Sequence, residues 1–179
     1  MQTSKNNELV LVLGGARSGK SSWALRYVEE HYNSFLFMAT AEVRDQEMAE
    51  RIRKHKASRG PKWDLLEESL EISEALNARC DHVEAVLIDC LTIWLSNVML
   101  NGQDENIQSY QQKLLEILSA KQQAITIVSN EVGSGIVPQS AMGREFRDQA
   151  GLLNQRVAAV ADKVILMIAG FPLYVKNTH

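Results

Sequence analysis

The feature that most constrains the fold is an apolar run that ends in a glycine-rich turn. Leu9 to Leu13 read LVLVL, and Gly14 to Ser21 read GGARSGKS. A buried strand that leads through G-x-x-x-x-G-K-S into a helix is typical of a phosphate-binding loop, because the glycines let successive backbone N–H groups converge on phosphate oxygens. Lys20 is expected to neutralise phosphate charge, and Ser21 to offer its hydroxyl to Mg²⁺. The start of the chain therefore predicts a nucleoside triphosphate site at the N-terminus of a helix.

Length and composition suit one nucleotide-binding domain spanning residues 1–179. Of the 179 residues 45% are hydrophobic, enough to form a sizeable core. The net charge of −3 gives no indication of a nucleic acid or an anionic membrane as partner. Cys80 and Cys90 lack the spacing of a zinc site or a disulfide framework, which favours a reducing compartment. No signal peptide or membrane-spanning run is recognisable, so we expect a soluble, cytoplasmic protein.

Strand-like and helix-like segments alternate after the glycine-rich turn. Six further strands are predicted at Phe35–Ala39, Trp63–Glu67, Ala85–Asp89, Ala124–Val128, Val164–Ala169 and Leu173–Lys176. Helices are predicted at Ser22–Glu30, Glu42–Arg59, Ser69–Ala78 with Ser69 as its cap, Leu91–Leu100, a surface helix ending at Ser119, and Ser140–Ala161. A linker is predicted at 101–106 and a glycine-rich loop at 129–138. The pattern predicts an α/β fold of the P-loop NTPase type, with a mostly parallel sheet flanked by helices on both faces.

His55 is the most informative residue outside the phosphate-binding loop. It shares a helical face with Met48, Ile52 and Arg59. This periodicity is compatible with a core histidine held by hydrogen bonds. The neighbouring cations favour a different role, because nearby positive charge keeps an imidazole neutral and nucleophilic and also attracts a triphosphate. Those cations could equally form a solvated helix face, so the residues alone leave both interpretations open.

Two acidic residues close predicted strands. Asp89 ends a strongly apolar run, where a carboxylate can reach Mg²⁺ directly or through water, or can instead cap the next helix. Glu67 has no periodic signal and is compatible with a surface carboxylate. Thr40 and Ala41 follow the strand that ends at Ala39, which places them at the carboxyl edge of a parallel sheet, where ligands usually bind.

Several arginines have two interpretations each. Arg17 lies inside the glycine-rich turn, where it could meet a second phosphorylated substrate or face water. Arg144, Arg147 and Asp148 lie within about one helical turn, so the default prediction is a salt-bridge face within the helix. Phosphate contacts by Arg144 or Arg147 are the alternative.

Taken together, these motifs resemble the bifunctional adenosylcobinamide kinase / adenosylcobinamide-phosphate guanylyltransferase family of cobalamin biosynthesis. The resemblance runs nearly end to end, and the combination of motifs at these separations is specific to that family. Its carriers are 14–21, Ala39-Thr40-Ala41, 45–48, 51–55, 88–92, the loop 130–138, 144–148 and 151–155.

The resemblance implies two reactions in one chain. A nucleoside triphosphate, ATP or GTP, phosphorylates the aminopropanol hydroxyl of adenosylcobinamide, and GTP then donates GMP to that phosphate through a GMP-histidine intermediate. It assigns the catalytic histidine to His55. It also implies a homotrimer. The nucleotide-binding positions it implies are Gly14, Gly15, Ala16, Arg17, Ser18, Gly19, Lys20, Ser21, Ala39, Thr40, Ala41, Lys56, Ala57, Ser58, Arg59, Glu67 and Asp89.

The chain departs from the family pattern in places. Asp89 stands where members vary between Glu and Asp, so a shorter side chain could make a metal contact water-mediated. Lys54 stands where some members have a second histidine. No N-K-x-D motif is present to explain a choice of guanine. Two other functions stay open, a monofunctional small-molecule kinase and a GTP-binding switch module.

Overall fold

A computed structural model describes residues 7–42, 62–101 and 107–178 of the chain. The strands it contains are β1 (Leu9–Gly14), β2 (Phe35–Ala39), β3 (Asp64–Glu67), β4 (Ala85–Asp89), β5 (Ala124–Asn130), β6 (Lys163–Ile168) and β7 (Phe171–Asn177). The helices in these ranges are α1 (Lys20–His31), α2 (Ile72–Arg79), α3 (Leu91–Asn101), α4 (Ile107–Ala120) and α5 (Ala141–Val160). None of them is long and apolar enough to span a bilayer.

The seven strands form one sheet in the order β3-β2-β4-β5-β1-β6-β7. All neighbouring pairs are parallel except β6 and β7, which form an antiparallel hairpin. The central strands are buried on both faces, which explains their continuous apolar runs. Residues of β1 alternate between two cores, Leu9 and Leu11 on one face and Val10 and Val12 on the other. Helix α1 packs on the second face and α2 to α5 on the first, so the predicted layered α/β fold is confirmed.

Two ion pairs lie at the amino edge of the sheet, and the one formed by Glu8 is largely buried. Glu8, with a side chain only 3% exposed, lies 2.8 Å from the Lys163 ammonium and accepts a hydrogen bond of 2.5 Å from the Tyr27 hydroxyl. Asp162 accepts from the Leu9 N–H at 2.9 Å and also from the Lys121 ammonium. These contacts tie the first strand to helix α1 and to the loops that precede β5 and β6.

Three sequence predictions are wrong in detail. Ser69 does not cap α2: the helix begins at Ile72, and the preceding N–H groups of Leu70 and Glu71 donate to the Glu68 carboxylate at 3.0 Å. Strand β5 continues to Asn130, because Ser129 and Asn130 pair with β1 and are not in the loop. Strand β7 runs over Phe171–Asn177 and is thus longer than the predicted Leu173–Lys176. The predicted helix Glu42–Arg59 and most of the 101–106 linker lie outside the described residues.

Candidate active site

The carboxyl edge of the sheet brings together residues that lie far apart in sequence. In the strand register Ala39 lies between Glu67 and Asp89, and Gly14 lies between Asn130 and Met167. Because β1 to β6 run parallel, all of these residues occupy the same edge. Parallel sheets bind ligands at that edge, so the register unites the phosphate-binding loop with the acidic residues predicted to accompany it.

The phosphate-binding loop, residues 14–21, depends on its glycines. Gly14 and Gly19 have φ angles of +151° and +94°, which side chains rarely adopt. A Cβ atom on Gly14 would also lie 2.6 Å from the Met167 carbonyl oxygen, and one on Gly19 would lie 3.3 Å from the Gly170 Cα. Arg17 has a positive φ of 58° at the tip of the loop. The loop therefore wraps closely around β6 and the β6–β7 turn and leaves its tip exposed.

Lys20 is the buried cation of this site. Its Nζ donates to the Gly15 carbonyl at 2.6 Å and lies 3.5 Å from the Ser18 hydroxyl. Burial lowers the pKa of Lys20, and the nearby acidic groups of Cys90 and Asp89 oppose that shift. The ammonium is thus held by neutral loop atoms within reach of the Asp89 charge, where an anionic phosphate would satisfy it better than a carbonyl does.

Helix α1 opens directly on the phosphate-binding loop. Its N-cap is Gly19, which has no side chain to accept hydrogen bonds from the first-turn N–H groups. Those groups and the helix dipole favour an anion at this end. The end of the loop therefore supplies donors for phosphate as well as the charge of Lys20.

Ser21 and Asp89 are the residues that could hold Mg²⁺. Ser21 lies in the first turn of α1, and Asp89 ends β4 with a buried Oδ2 atom. Within the described residues no cluster of three or more His, Cys, Asp or Glu side chains could hold a metal by itself. A hydroxyl and one carboxylate nevertheless fit Mg²⁺, since that ion keeps several waters and uses substrate phosphates as ligands.

A buried polar network supports the segment after β4. The Thr40 hydroxyl donates to the Cys90 carbonyl and accepts from the Cys90 N–H, both at 2.8 Å. The Asn97 amide donates to the Thr40 carbonyl at 2.8 Å and to the Ser69 carbonyl at 3.1 Å. Thr40 is fully buried, so it holds the turn between Asp89 and helix α3 and is not exposed to a ligand through its side chain.

A second part of the network joins α3 and α5 to the end of β5. The Thr92 hydroxyl accepts from the Asn130 amide at 2.9 Å and lies 3.2 Å from the Cys90 sulfur. Asn154 accepts from the Ser129 hydroxyl at 2.7 Å and donates to the Asn130 carbonyl at 3.1 Å. Sequence reasoning missed this network. The available signal was a set of small polar residues in apolar segments, Thr92 and Asn97 in α3 and Ser129 and Asn130 at the end of β5.

The remaining predicted residues fall into three groups. Glu67 is exposed at the carboxyl end of β3, Ala39 and Ala41 are half-buried, and Arg17 is exposed. Arg147 pairs with Asp148 at 3.0 Å, as the salt-bridge interpretation predicts, whereas Arg144 donates to backbone carbonyls of the preceding loop. The catalytic candidate His55 and the nucleotide-binding candidates Lys56, Ala57, Ser58 and Arg59 lie outside the described residues.

Solved structures with the same fold include a flagellar accessory protein and a secretion-system ATPase. The flagellar accessory protein FlaH from Methanocaldococcus jannaschii superposes with a TM-score of 0.52 and 13% identity over 96% of this chain and 79% of that chain. A prototypical ATPase from the type III secretion system of pathogenic bacteria superposes with a TM-score of 0.58 and 13% identity over 89% of this chain and 51% of that chain. At such identities the likeness establishes the α/β P-loop fold and nothing more specific.

Sequence relatives are much closer. The bifunctional adenosylcobalamin biosynthesis protein CobP of Pseudomonas aeruginosa is 39% identical over 167 residues, 93% of this chain and 96% of its own. The bifunctional adenosylcobalamin biosynthesis protein CobU of Escherichia coli is 34% identical over 181 residues, 94% of this chain and 99% of its own. A model of the family described as cobinamide kinase / cobinamide phosphate guanyltransferase matches residues 10–175. The chain therefore belongs to the cobinamide kinase / cobinamide phosphate guanyltransferase family, bifunctional enzymes of adenosylcobalamin biosynthesis.

Proposed function

We propose that this enzyme uses one phosphate site for both of its reactions and His55 for the second alone. In the first reaction a nucleoside triphosphate, ATP or GTP, phosphorylates the aminopropanol hydroxyl of adenosylcobinamide. In the second, GTP donates GMP to the new phosphate. The observation that best supports a shared site is the buried Lys20 ammonium at the carboxyl edge, which among the described residues donates to the Gly15 carbonyl and lies near the Ser18 hydroxyl.

The kinase step depends on positioning and on neutralisation of charge. The loop N–H groups and Lys20 would hold the β- and γ-phosphates, with the γ-phosphorus in line with the acceptor hydroxyl. Bound Mg²⁺ would neutralise charge on the phosphates, and Ser21 and Asp89 would hold it. The acceptor oxygen forms a bond to the γ-phosphorus and loses its proton to water, the bond from the γ-phosphorus to the β-phosphate oxygen breaks, and the nucleoside diphosphate leaves.

The guanylyl transfer needs a nucleophile at the α-phosphorus of GTP. In the proposed step a nitrogen of neutral His55 forms a P–N bond, the bond to the β-phosphate oxygen breaks, and pyrophosphate leaves. An oxygen of the adenosylcobinamide phosphate then attacks the same phosphorus, the P–N bond breaks, and the imidazole is regenerated. Such a covalent intermediate divides one difficult displacement into two easier ones. Lys56 and Arg59 follow His55 in sequence and would contribute positive charge.

Labelling with [α-³²P]GTP tests the role of His55. The wild-type protein should acquire an acid-labile, base-stable label on His55 and release one equivalent of pyrophosphate in a burst. His55→Ala should remove the label and guanylyl transfer while part of the kinase activity survives. His82→Ala provides a matched control, because His82 has a side chain 54% exposed and lies in a loop away from the carboxyl edge; it should label normally. An unlabelled wild-type protein with full kinase activity would indicate a monofunctional kinase and contradict the proposal.

The proposal also covers the oligomeric state of the protein and its cellular compartment. We propose a homotrimer in the cytoplasm. The β6–β7 hairpin supports association, because its exposed apolar side chains lie on the edge strand β7 or, for Ile168, at the end of β6 beside it. The residues of β7 are Phe171, Leu173, Tyr174 and Val175. The two cysteines are free and buried, which suits a reducing compartment. Light scattering of the purified protein measures its mass, and a monomeric mass at working concentration would contradict the trimer.

A further inference from the structure

The loop that follows β5 borders the phosphate-binding loop. We call residues 131–140 the acceptor loop. The backbone N–H of Glu131 donates to the Gly14 carbonyl at 3.0 Å, so the first residue of the acceptor loop contacts the first residue of the phosphate-binding loop. Because β5 lies between β1 and β4 in the sheet, the acceptor loop leaves the sheet between the phosphate-binding loop and the strand that ends at Asp89.

Hydrogen bonds fix the conformation of the acceptor loop. The Glu131 carboxylate accepts from the Gly133 N–H at 2.7 Å and from the Ser134 N–H at 3.2 Å. Although burial opposes the shift, these hydrogen bonds from Ser134 and Gly133 lower the pKa of the Glu131 carboxyl. At the far end Arg144 donates to the Pro138 carbonyl at 3.1 Å and to the Gln139 carbonyl at 2.7 Å. The loop is therefore braced at both ends.

This braced loop presents apolar side chains to solvent. Ile136 is 96% exposed, Val137 is 59% exposed, and Met142, in the first turn of α5, is 62% exposed. Each of these three residues keeps more than half of its surface exposed, so none of them belongs to the core. Adjacent exposed apolar residues are typical of a surface that binds something.

We propose that Ile136, Val137 and Met142 form the surface on which the corrin macrocycle of the acceptor rests. This proposal names the binding surface for the corrinoid, and it depends on the assignment of the chain to the cobinamide kinase family. A corrin ring has broad apolar faces and a rim of amide groups, so it suits an apolar patch beside exposed backbone and polar side chains. The aminopropanol arm that carries the reacting hydroxyl is only a few bonds long. The macrocycle must therefore lie over an element that borders the phosphate site.

Within the described residues, the phosphate-binding loop also touches β6 and the β6–β7 turn. The N–H of Gly170 donates to the Ser18 carbonyl at 3.0 Å. The apolar residues beyond this turn lie on an edge strand, whose unpaired backbone N–H and carbonyl groups suit another strand. A corrin macrocycle offers no such ladder of hydrogen bonds. The acceptor loop is thus the better surface for the macrocycle, and the hairpin the better surface for a second copy of the chain.

The test is the double variant Ile136→Ser/Val137→Ser, assayed in the kinase reaction with adenosylcobinamide as the varied substrate. Loss of two apolar contacts should raise KM for adenosylcobinamide about tenfold or more. KM for the nucleoside triphosphate should stay within about twofold of wild type, since the substituted residues lie outside the phosphate-binding loop. Equilibrium dialysis of the coloured corrinoid against the nucleotide-free protein should show the same loss of affinity.

Two further variants control the test. Leu100→Ser changes a residue 52% exposed at the opposite end of α3, and Leu173→Ser changes the hairpin; both should keep the wild-type KM for adenosylcobinamide. An unchanged corrinoid KM in the double variant would overturn the proposal, as would an equal rise in the nucleotide KM. A lower oligomeric mass of the double variant in light scattering would also overturn it and would assign the acceptor loop to subunit contacts. Kinase assays do not require the GMP-enzyme, so failure of His55 labelling would leave this test intact.

Discussion

The two edges of the sheet both carry buried charge, but they neutralise it in different ways. At the amino edge the Glu8 carboxylate has a counterion, Lys163, at 2.8 Å and the Tyr27 hydroxyl at 2.5 Å. At the carboxyl edge the Lys20 ammonium is held by the Gly15 carbonyl and, more distantly, by the Ser18 hydroxyl. The amino edge therefore neutralises its charges internally, whereas the carboxyl edge holds a cation that an external anion would suit.

We expect the charges at the amino edge to contribute to stability and the charge at the carboxyl edge to contribute to function. Paired buried charges contribute to stability only while both partners are present, because removal of one leaves the other desolvated and unpaired. A cation held by neutral groups has a weaker partner in the free protein and gains a stronger one when phosphate binds. Substitutions at the two edges should accordingly affect different measurements.

Lys20→Ala should have the largest effect on catalysis. Because Lys20 would neutralise phosphate charge in both reactions, we expect kcat to fall about a hundredfold or more in the kinase assay and in the guanylyl transfer assay. The free energy of unfolding should change little, since burial disfavours the charged form of Lys20. Loss of only one activity would show that the phosphate site is not shared.

Glu8→Gln should have the largest effect on stability. The substitution leaves the Lys163 ammonium buried without its counterion, and we expect a loss of about 3 kcal/mol in the free energy of unfolding, measured by urea denaturation. Kinetic constants of the folded protein should be unchanged. The double variant Glu8→Gln/Lys163→Met removes both charges and should recover part of the loss. If the single variant is as stable as wild type, the amino edge does not have the role assigned to it.

Thr92→Val tests a residue that we expect to affect both stability and catalysis. It removes the hydroxyl that accepts from the Asn130 amide, and the cost to unfolding should be about 1 to 2 kcal/mol. Since the same hydroxyl supports the end of β5 beside the phosphate-binding loop, kcat should also fall, by roughly tenfold. Thr92→Ser keeps the hydroxyl and should restore kcat. A serine variant as impaired as the valine variant would show that the hydroxyl alone does not account for the effect on kcat.

The smallest expected effect is a dependence of stability on alkaline pH. Burial raises the pKa of Cys80 and of Cys90 from the ordinary value near 9 to about 11. In the unfolded chain these thiols ionise above about pH 9, whereas in the folded chain they stay neutral, so stability should fall as pH rises from 9 to 11. The slope should not exceed about 1.4 kcal/mol per pH unit for each thiol.

Cys80 lies away from the carboxyl edge. Cys80→Ala should reduce the dependence of the free energy of unfolding on pH when urea denaturation is repeated across the same pH range. A slope equal to that of wild type would show that the Cys80 thiol does not titrate as expected. A thiol reagent at pH 8 should react with the native protein far more slowly than with the unfolded protein, since both cysteines are buried.

The sequence predicts those parts of the molecule that local patterns encode. The strand β1, the phosphate-binding loop and the strand ending at Asp89 follow from apolar runs and from glycines whose positive φ angles the structure requires. Nearly all the element boundaries in the described ranges are correct within a few residues. The alternation of strands with helices also suffices to predict a mostly parallel sheet.

Features that depend on contacts between distant segments could not be predicted. Ser69 has the residue type of a helix cap, but Glu68 accepts the hydrogen bonds, because the Ser69 and Leu70 carbonyls are held by Asn97 and Trp94 of α3. The network from Thr92 to Asn154 joins three elements, and no periodic pattern signals such partners. The site role of His55 stays a prediction, since His55 lies outside the described residues.

The contact between the phosphate-binding loop and the β6–β7 turn determines when the loop can fold during translation. Gly14 fits against Met167, and Gly19 against Gly170, so the phosphate-binding loop rests on a segment that is translated much later. While β6 and the β6–β7 turn are still inside the ribosome, the nascent chain has no surface on which the phosphate-binding loop can pack. We therefore expect nucleotide binding to require β6 and the β6–β7 turn, and a fragment truncated before Met167 should fail to bind a triphosphate even if its early strands are paired.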